Sequence, residues 1–232
     1  MDCFMQKIKS LLHRYKHALL LLYMLIYFPW FNYLERTVTH QYHVIHLSVD
    51  DSIPFCEYFI IPYFLWFAYV ALTVVYFLFK DTGDYYRLCM FLFSGMTIFL
   101  IVSTIYPNGH HLRPTVFAHD TIFTDLVKAL YRMDTPTNLF PSIHVYNSIG
   151  VHIALTKSER LREKKALHAA SFCLMLLIIL STLFLKQHSV FDVLTAIVLA
   201  VFMHAIVYGR NALRASRRLR SKRLRLKENK LF

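Results

Sequence analysis

The sequence predicts an all-α, polytopic membrane protein with six transmembrane helices and both termini cytoplasmic, on three observations. Hydrophobic residues make up 56% of the 232 residues and charged residues only 17%, where a soluble domain runs nearer a quarter charged. The apolar residues fall in runs close to the ~20 residues that a helix needs to cross the hydrocarbon core. Lysine and arginine gather on alternate links between those runs, as the positive-inside rule requires. The length suits a single membrane domain over residues 1–232.

In chain order, residues 1–16 place Phe4, Ile8, Leu11, Leu12 and Tyr15 on one helical face with basic residues between them, the pattern of a helix lying on the inner surface. Apolar runs follow at residues 18–34, 59–79, 88–106, 166–185 and 190–208. The first is rich in Tyr, Phe and Trp and lacks a small-residue cleavage site, so it reads as a retained span rather than a signal peptide. A shorter run, 143–155, contains His144, Asn147, Ser148 and His152, and hydropathy alone leaves it in doubt. Residues 121–133 carry a stripe of Ile122, Phe123, Leu126, Leu130 and Met133, which predicts a second amphipathic helix, on the outer surface. There are no internal repeats, low-complexity linkers or second soluble domain.

Charge decides for the short run. Lys7, Lys9, Arg14 and Lys16 precede the first span, and Lys80 and Arg87 flank the second link. Lys157, Arg160, Arg162, Lys164 and Lys165 follow the short run, and a basic tail occupies residues 210–232. Six spans put all four segments on one side; five would misplace either the tail or the 157–165 cluster. The formal charge of +12 therefore reads as membrane orientation and attraction to anionic lipid, not as nucleic-acid binding. Cys3, Cys56, Cys89 and Cys173 have no metal or redox spacing.

Three polar groups map to the outer side: Arg113-Pro114, Pro141-Ser142-Ile143-His144, and His188 with Asp192. His188 and Asp192 are four apart and share a helix face. The carboxylate can take the proton of one imidazole nitrogen and leave the other free to attack. His144 falls in the first turn of its helix, where free N–H groups and the dipole suit an anion. Arg113 adds a planar fork for phosphate. Together these provide a nucleophile, an orienting acid, a proton donor and an anion cradle, sufficient for phosphoryl transfer through a phosphohistidine. Each has a plainer alternative: a helix-end His–Asp pair, an interfacial histidine, a solvated arginine, and an N-cap for Ser142. Yet ionisable groups within spans are expensive and point to function. His40, His43 and His46 beside Asp50 and Asp51 read as a solvated loop rather than a metal site, so no metal and no cofactor are expected.

With these residues in place, the chain resembles the type 2 phosphatidic acid phosphatase superfamily over about residues 90–205. That family carries Lys, six residues, Arg-Pro; then Pro-Ser-Gly-His; then Ser-Arg, five residues, His, three residues, Asp. Here they read Tyr106 to Arg113-Pro114, Pro141-Ser142-Ile143-His144, and Ser181-Thr182, His188 and Asp192. Residues 134–144 also resemble a branch that includes inositol phosphorylceramide synthase-like proteins. The first two spans add topology only.

The resemblance implies His188 as nucleophile, Asp192 as its partner and His144 as proton donor to the leaving group, with Arg113 and Ser142 holding phosphate. It implies a phosphohistidine lipid phosphatase acting on a lipid phosphate or pyrophosphate at the outer face. A phosphotransferase to an alcohol and a degenerate, non-catalytic member are the alternatives. Tyr106, Thr182 and Ile143 stand where the family has Lys, Arg and Gly; Lys186 and the His110-His111 pair are the candidates to compensate. The basic tail and an N-terminus without transit character suit a bacterial plasma membrane, with lipids as partners.

Overall fold

The computed structural model describes residues 14–39 and 41–209. The surface helix expected over residues 1–16 lies mostly outside these residues, as do His40 and the basic tail. A 3₁₀ segment, Lys16–Tyr23, runs into α1 (Met24–Thr37). Then come β1 (His43–Val44), α2 (Ser48–Ser52), α3 (Ile60–Lys80), α4 (Thr82–Ile105), β2 (Asn108–Gly109), α5 (Ile122–Met133), α6 (Ile143–Lys157), α7 (Lys165–Phe184) and α8 (Val190–Val207).

Among the described residues, five segments are long and apolar enough to cross a membrane: Lys16–Thr37, Glu57–Lys80, Thr82–Ile105, Lys165–Phe184 and Val190–Val207. They match the five apolar runs of the sequence. The largest difference is the start of α4, which begins at Thr82 rather than 88. Its polar first turns satisfy themselves. The Asp81 carboxylate accepts the Asp84 N–H at 2.9 Å, and Arg87 donates to Asp84 at 2.8 Å. Charge at a capped helix end does not need lipid-like composition to be helical.

The sixth run forms α6, whose 15 residues do not meet that length. It packs against α3, α4, α7 and α8. Its Asn147 and Ser148 are buried, which is tolerable because this helix faces other helices rather than lipid. That position explains its weak hydropathy. Close approach to α4 rests on two glycines. A Cβ at Gly95 would lie 2.0 Å from the Tyr146 ring, and one at Gly150 would lie 2.4 Å from Phe91. The gap lets Phe91 and Tyr146 stack at 4.6 Å, while the Tyr146 hydroxyl donates to the Phe91 carbonyl at 2.8 Å.

α6 runs parallel to α8. The Ser142 N–H donates to the Asp192 carbonyl at 3.3 Å near both N-termini, and Lys157 is a charged neighbour of His204 near both C-termini. At the end where α6 and α8 begin, the loops knit together. β1 and β2 pair in parallel, His43 opposite Asn108 and Val44 opposite Gly109, and Gly109 bridges to Thr137. The amphipathic α5 lies at this end, with Val127 and Leu130 packed against Ile60, Tyr63 and Leu185. Its Ile122 and Met133 face outward.

Candidate active site

The site begins with how α7 stops. The Lys186 N–H donates to the Leu183 carbonyl at 3.0 Å, and the Gln187 N–H to the Thr182 carbonyl at 2.9 Å. This pair of bonds is a Schellman cap, and it needs a left-handed residue, here Lys186 at φ 51°. Three residues later Ser189 caps α8, accepting from Phe191 N–H, while the Asp192 carboxylate accepts the Ser189 N–H at 2.9 Å. His188 is thus held between the end of one helix and the start of the next.

His188 Nδ1 lies 3.4 Å from Asp192 Oδ2, with the side chains 7% and 0% exposed. This is longer than an ordinary N–H···O bond, and Nδ1 carries no hydrogen bond. A contraction of about 0.5 Å closes the pair and leaves Nε2 as the free nitrogen. The His144 ring centroid is 6.0 Å from that of His188. It is packed by Tyr63 at 4.5 Å and Trp66 at 4.3 Å, and its buried Nε2 has no protein partner. Two side chains of α3 therefore shape the site, although the second span reads from sequence as topology alone.

Ser142 is fully buried as the N-cap of α6, its hydroxyl 3.5 Å from the Val145 N–H. Arg113 reaches the same layer. Its Nη1 donates to the carbonyls of Asp134 (2.7 Å) and Tyr131 (3.4 Å). Its Nη2 donates to the Thr135 carbonyl (3.1 Å) and to the Gln187 side chain. Its guanidinium stacks on Tyr131 at 4.5 Å, and its buried Nε has no protein partner. Asp134 Oδ2 lies 3.9 Å from Nη2, with its side chain 31% exposed. Partial burial, with Glu35 adding to it, raises the Asp134 carboxyl above the usual carboxylate range against the pull of Arg113 and His188.

Residues outside the three motifs hold this cluster. Glu35 of α1 accepts from the Thr135 N–H at 3.1 Å, the Thr135 hydroxyl at 2.6 Å and the Asn138 amide at 3.1 Å. Asn108 Oδ1 accepts the N–H groups of Leu139 and Phe140; the Phe140–Pro141 peptide is cis. His110 accepts the Leu112 N–H at Nδ1, so its Nε2 carries the proton and donates to the Gln187 carbonyl at 3.0 Å. Burial holds this imidazole neutral, lowered to about 4.

Lys186 is turned elsewhere. Its Nζ donates to the Asp50 carbonyl at 2.7 Å, and burial lowers its pKa. Asp50, read from sequence as part of a solvated loop, is buried. Its carboxylate accepts the Ser189 hydroxyl at 2.6 Å and the Val190 N–H at 2.8 Å. Burial works against that carboxylate, but these bonds outweigh it and lower its pKa. No local signal marks Glu35 or Asp50, because their partners lie about 100 and 140 residues away.

The structure thus brings His144, His188, Asp192, Ser142 and Arg113 into one layer and points Lys186 toward α2. Tyr106 stacks on His43 at 4.2 Å and is 44% exposed, while Thr182 is buried within α7. Among the described residues, no three His, Cys, Asp or Glu side chains are grouped to hold a metal ion.

A family model described as the PAP2 superfamily matches residues 112–214. No curated protein and no solved structure matches the chain.

Proposed function

We propose that this chain, whose residues 112–214 match the PAP2 superfamily model, hydrolyses a lipid phosphate or pyrophosphate at the outer face of a membrane through a phosphohistidine. The observation that carries this reading is the pair His188–Asp192 at 3.4 Å with the unpartnered His144 ring 6.0 Å away. Asp192 orients His188 so that Nε2 attacks phosphorus. The bond from phosphorus to the leaving oxygen breaks, and His144 supplies the proton that oxygen needs. Water then attacks the phosphohistidine, releasing phosphate and restoring Nε2. Arg113 offers its free Nε–H to a phosphoryl oxygen, and Ser142 with the start of α6 provides further donors. A contact from Lys186 to substrate requires its Nζ to leave the Asp50 carbonyl.

In this reading α6 makes a sixth crossing, both termini are cytoplasmic, and in a bacterial plasma membrane the site faces outward. The lipid tail stays in the bilayer while the head group enters the polar layer, which accounts for a site at the ends of spans. Transfer to an alcohol in place of water is the second reading. It is favoured by the site's cation content, since Tyr106 and Thr182 occupy two positions where cations are expected.

The test is phosphate release from a panel of lipid phosphates by the full chain in detergent, beside His188→Ala, with glycerol or inositol added in parallel. Release that disappears in His188→Ala supports the hydrolase. Transfer to the added alcohol with little free phosphate moves the assignment to a transferase. Inactivity of the unmodified protein across the panel overturns both and leaves a degenerate member.

A further inference from the structure

We infer that Asp50 is a positioning residue for the nucleophile: its carboxylate fixes the link between α7 and α8 so that His188 and Asp192 keep their register. The inference rests on His188 being the nucleophile, as proposed above. Asp50 belongs to α2, in the segment that joins α1 to α3 and outside residues 112–214.

Asp50 is 1% exposed. Its Oδ2 accepts the Ser189 hydroxyl at 2.6 Å and the Leu47 N–H at 2.8 Å, and its Oδ1 accepts the Val190 N–H at 2.8 Å. Its main-chain carbonyl accepts Lys186 Nζ at 2.7 Å. From the same segment, the Cys56 N–H donates to the Phe184 carbonyl at 3.0 Å. The chain between α1 and α3 therefore holds the link at residues 184, 186, 189 and 190, on both sides of His188. The Ser189 hydroxyl also accepts the Phe191 N–H, and the Ser189 N–H goes to Asp192 Oδ2. Asp50 thus reaches the His188–Asp192 pair through Ser189, which adjoins His188 in the chain and caps the helix that carries Asp192.

The pair needs this support. At 3.4 Å, the Nδ1–Oδ2 contact is closed or broken by a shift of well under an ångström. His188 Nδ1 and Asp192 Oδ1 have no hydrogen-bond partner within the protein, so the backbone that carries the two side chains must set their register. A carboxylate suits the task. Hydrogen bonds to an ionised acceptor are shorter and stronger than neutral ones, and negative charge is favourable at the N-terminus of α8. Burial opposes the ionisation of Asp50, but the bonds from Ser189, Val190 and Leu47 outweigh it and lower its pKa. An amide cannot take its place: in either orientation of the side chain in Asp50→Asn, the NH2 group faces the N–H of Leu47 or of Val190.

The test measures single turnovers of dioctanoyl phosphatidic acid and of farnesyl diphosphate by the full chain in detergent, with the protein in saturating excess. The first-order rate constant then reports the chemical step and does not depend on how much of the protein is folded, which a merely structural role would change. Asp50→Asn is expected to lower that rate constant by about 10²-fold, the order for roughly an ångström of misplacement. Ser189→Ala loses the hydroxyl but keeps the Leu47 and Val190 bonds, and should fall between Asp50→Asn and the unmodified protein, at least about threefold slow. An unchanged rate constant in Asp50→Asn overturns the inference. If Asp50→Asn does not fold, Ser189→Ala decides in the same way. Unchanged variants of an active protein sink only this inference; an unmodified protein that turns over neither probe sinks the phosphatase reading with it.

Discussion

Asp192 Oδ2 serves two neighbours at once: it accepts the Ser189 N–H at 2.9 Å and lies 3.4 Å from His188 Nδ1. The carboxylate that caps the start of α8 is therefore also the one beside the histidine ring. Asp192→Asn can keep its oxygen on the Ser189 N–H and beside Nδ1, but it removes the negative charge that favours a proton on Nδ1 and a free Nε2. Activity is expected to fall by about 10³–10⁴-fold, with the thermal midpoint changed by only a few degrees. Phosphate-release assays and thermal unfolding on the same preparations separate the two effects. Activity within a few-fold of the unmodified protein would remove Asp192 from the mechanism.

Glu35 belongs to α1, outside the matched segment, yet it accepts three hydrogen bonds from Thr135 and Asn138. These fix the strand of chain that leads into Ser142 and His144. Glu35→Ala is expected to cost about 2–3 kcal/mol, given that bonds to a charged group contribute ~1.5–3 kcal/mol each and this residue is half-buried. Turnover should drop at least about tenfold, as expected when catalytic groups lose their positioning, with Glu35→Gln falling between. A variant with unchanged turnover and midpoint would show the clasp to be dispensable.

The α4–α6 contact has no room for a methyl group. Gly150→Ala drives a Cβ to 2.4 Å from Phe91, and overpacking of this kind costs about 1–3 kcal/mol or more. Gly209→Ala meets nothing within 4 Å and is the matched control. Thermal midpoints in one detergent compare them directly. Equal midpoints would mean that the two helices separate easily.

Lys186 occupies the left-handed position of the α7 cap at φ 51°, where glycine is preferred. Lys186→Gly relieves that strain but loses the Nζ bond to Asp50; Lys186→Ala loses the bond and keeps the strain. Glycine should therefore be the more stable of the two by roughly 1 kcal/mol. If Lys186 also reaches substrate, both variants raise KM alike. If it only tethers α2, KM follows stability.

His110 makes stability depend on pH. Its pKa is lowered from 6.5 to about 4 by burial, so the unfolded chain takes up the proton first as the solution is acidified. The contribution of the neutral ring is fully present above pH 6.5 and is lost as pH falls toward 4. His110→Gln retains an acceptor and a donor but no titration, and its midpoint should change less across pH 7 to 4.5 than that of the unmodified protein. Parallel pH profiles would count against a neutral, buried His110.

Much of this architecture was legible in the chain. The five apolar runs and the amphipathic stripe at 121–133 correspond to helices, because lipid and interface impose composition directly on the segments that face them. α6 was hard to read from hydropathy, since a helix enclosed by protein is free to carry Asn147 and Ser148. His188 and Asp192 were legible because their spacing is local. Glu35, Asp50, Tyr63 and Trp66 were not, since each acts on a partner far along the chain.

By itself, the sequence determined the mostly helical class, the five long apolar helices, and the histidines, serine, arginine and aspartate that come together in one layer. These depend on hydropathy and helical spacing, both of them local. Only the tertiary structure decided what each group touches. Arg113 is bonded to carbonyls and Gln187 and faces Asp134, Lys186 is held by the Asp50 carbonyl, and the His144 ring is packed by α3. Such contacts arise where loops and helix ends far apart in the chain meet, so the charge balance that governs the site is a property of packing and not of any one segment.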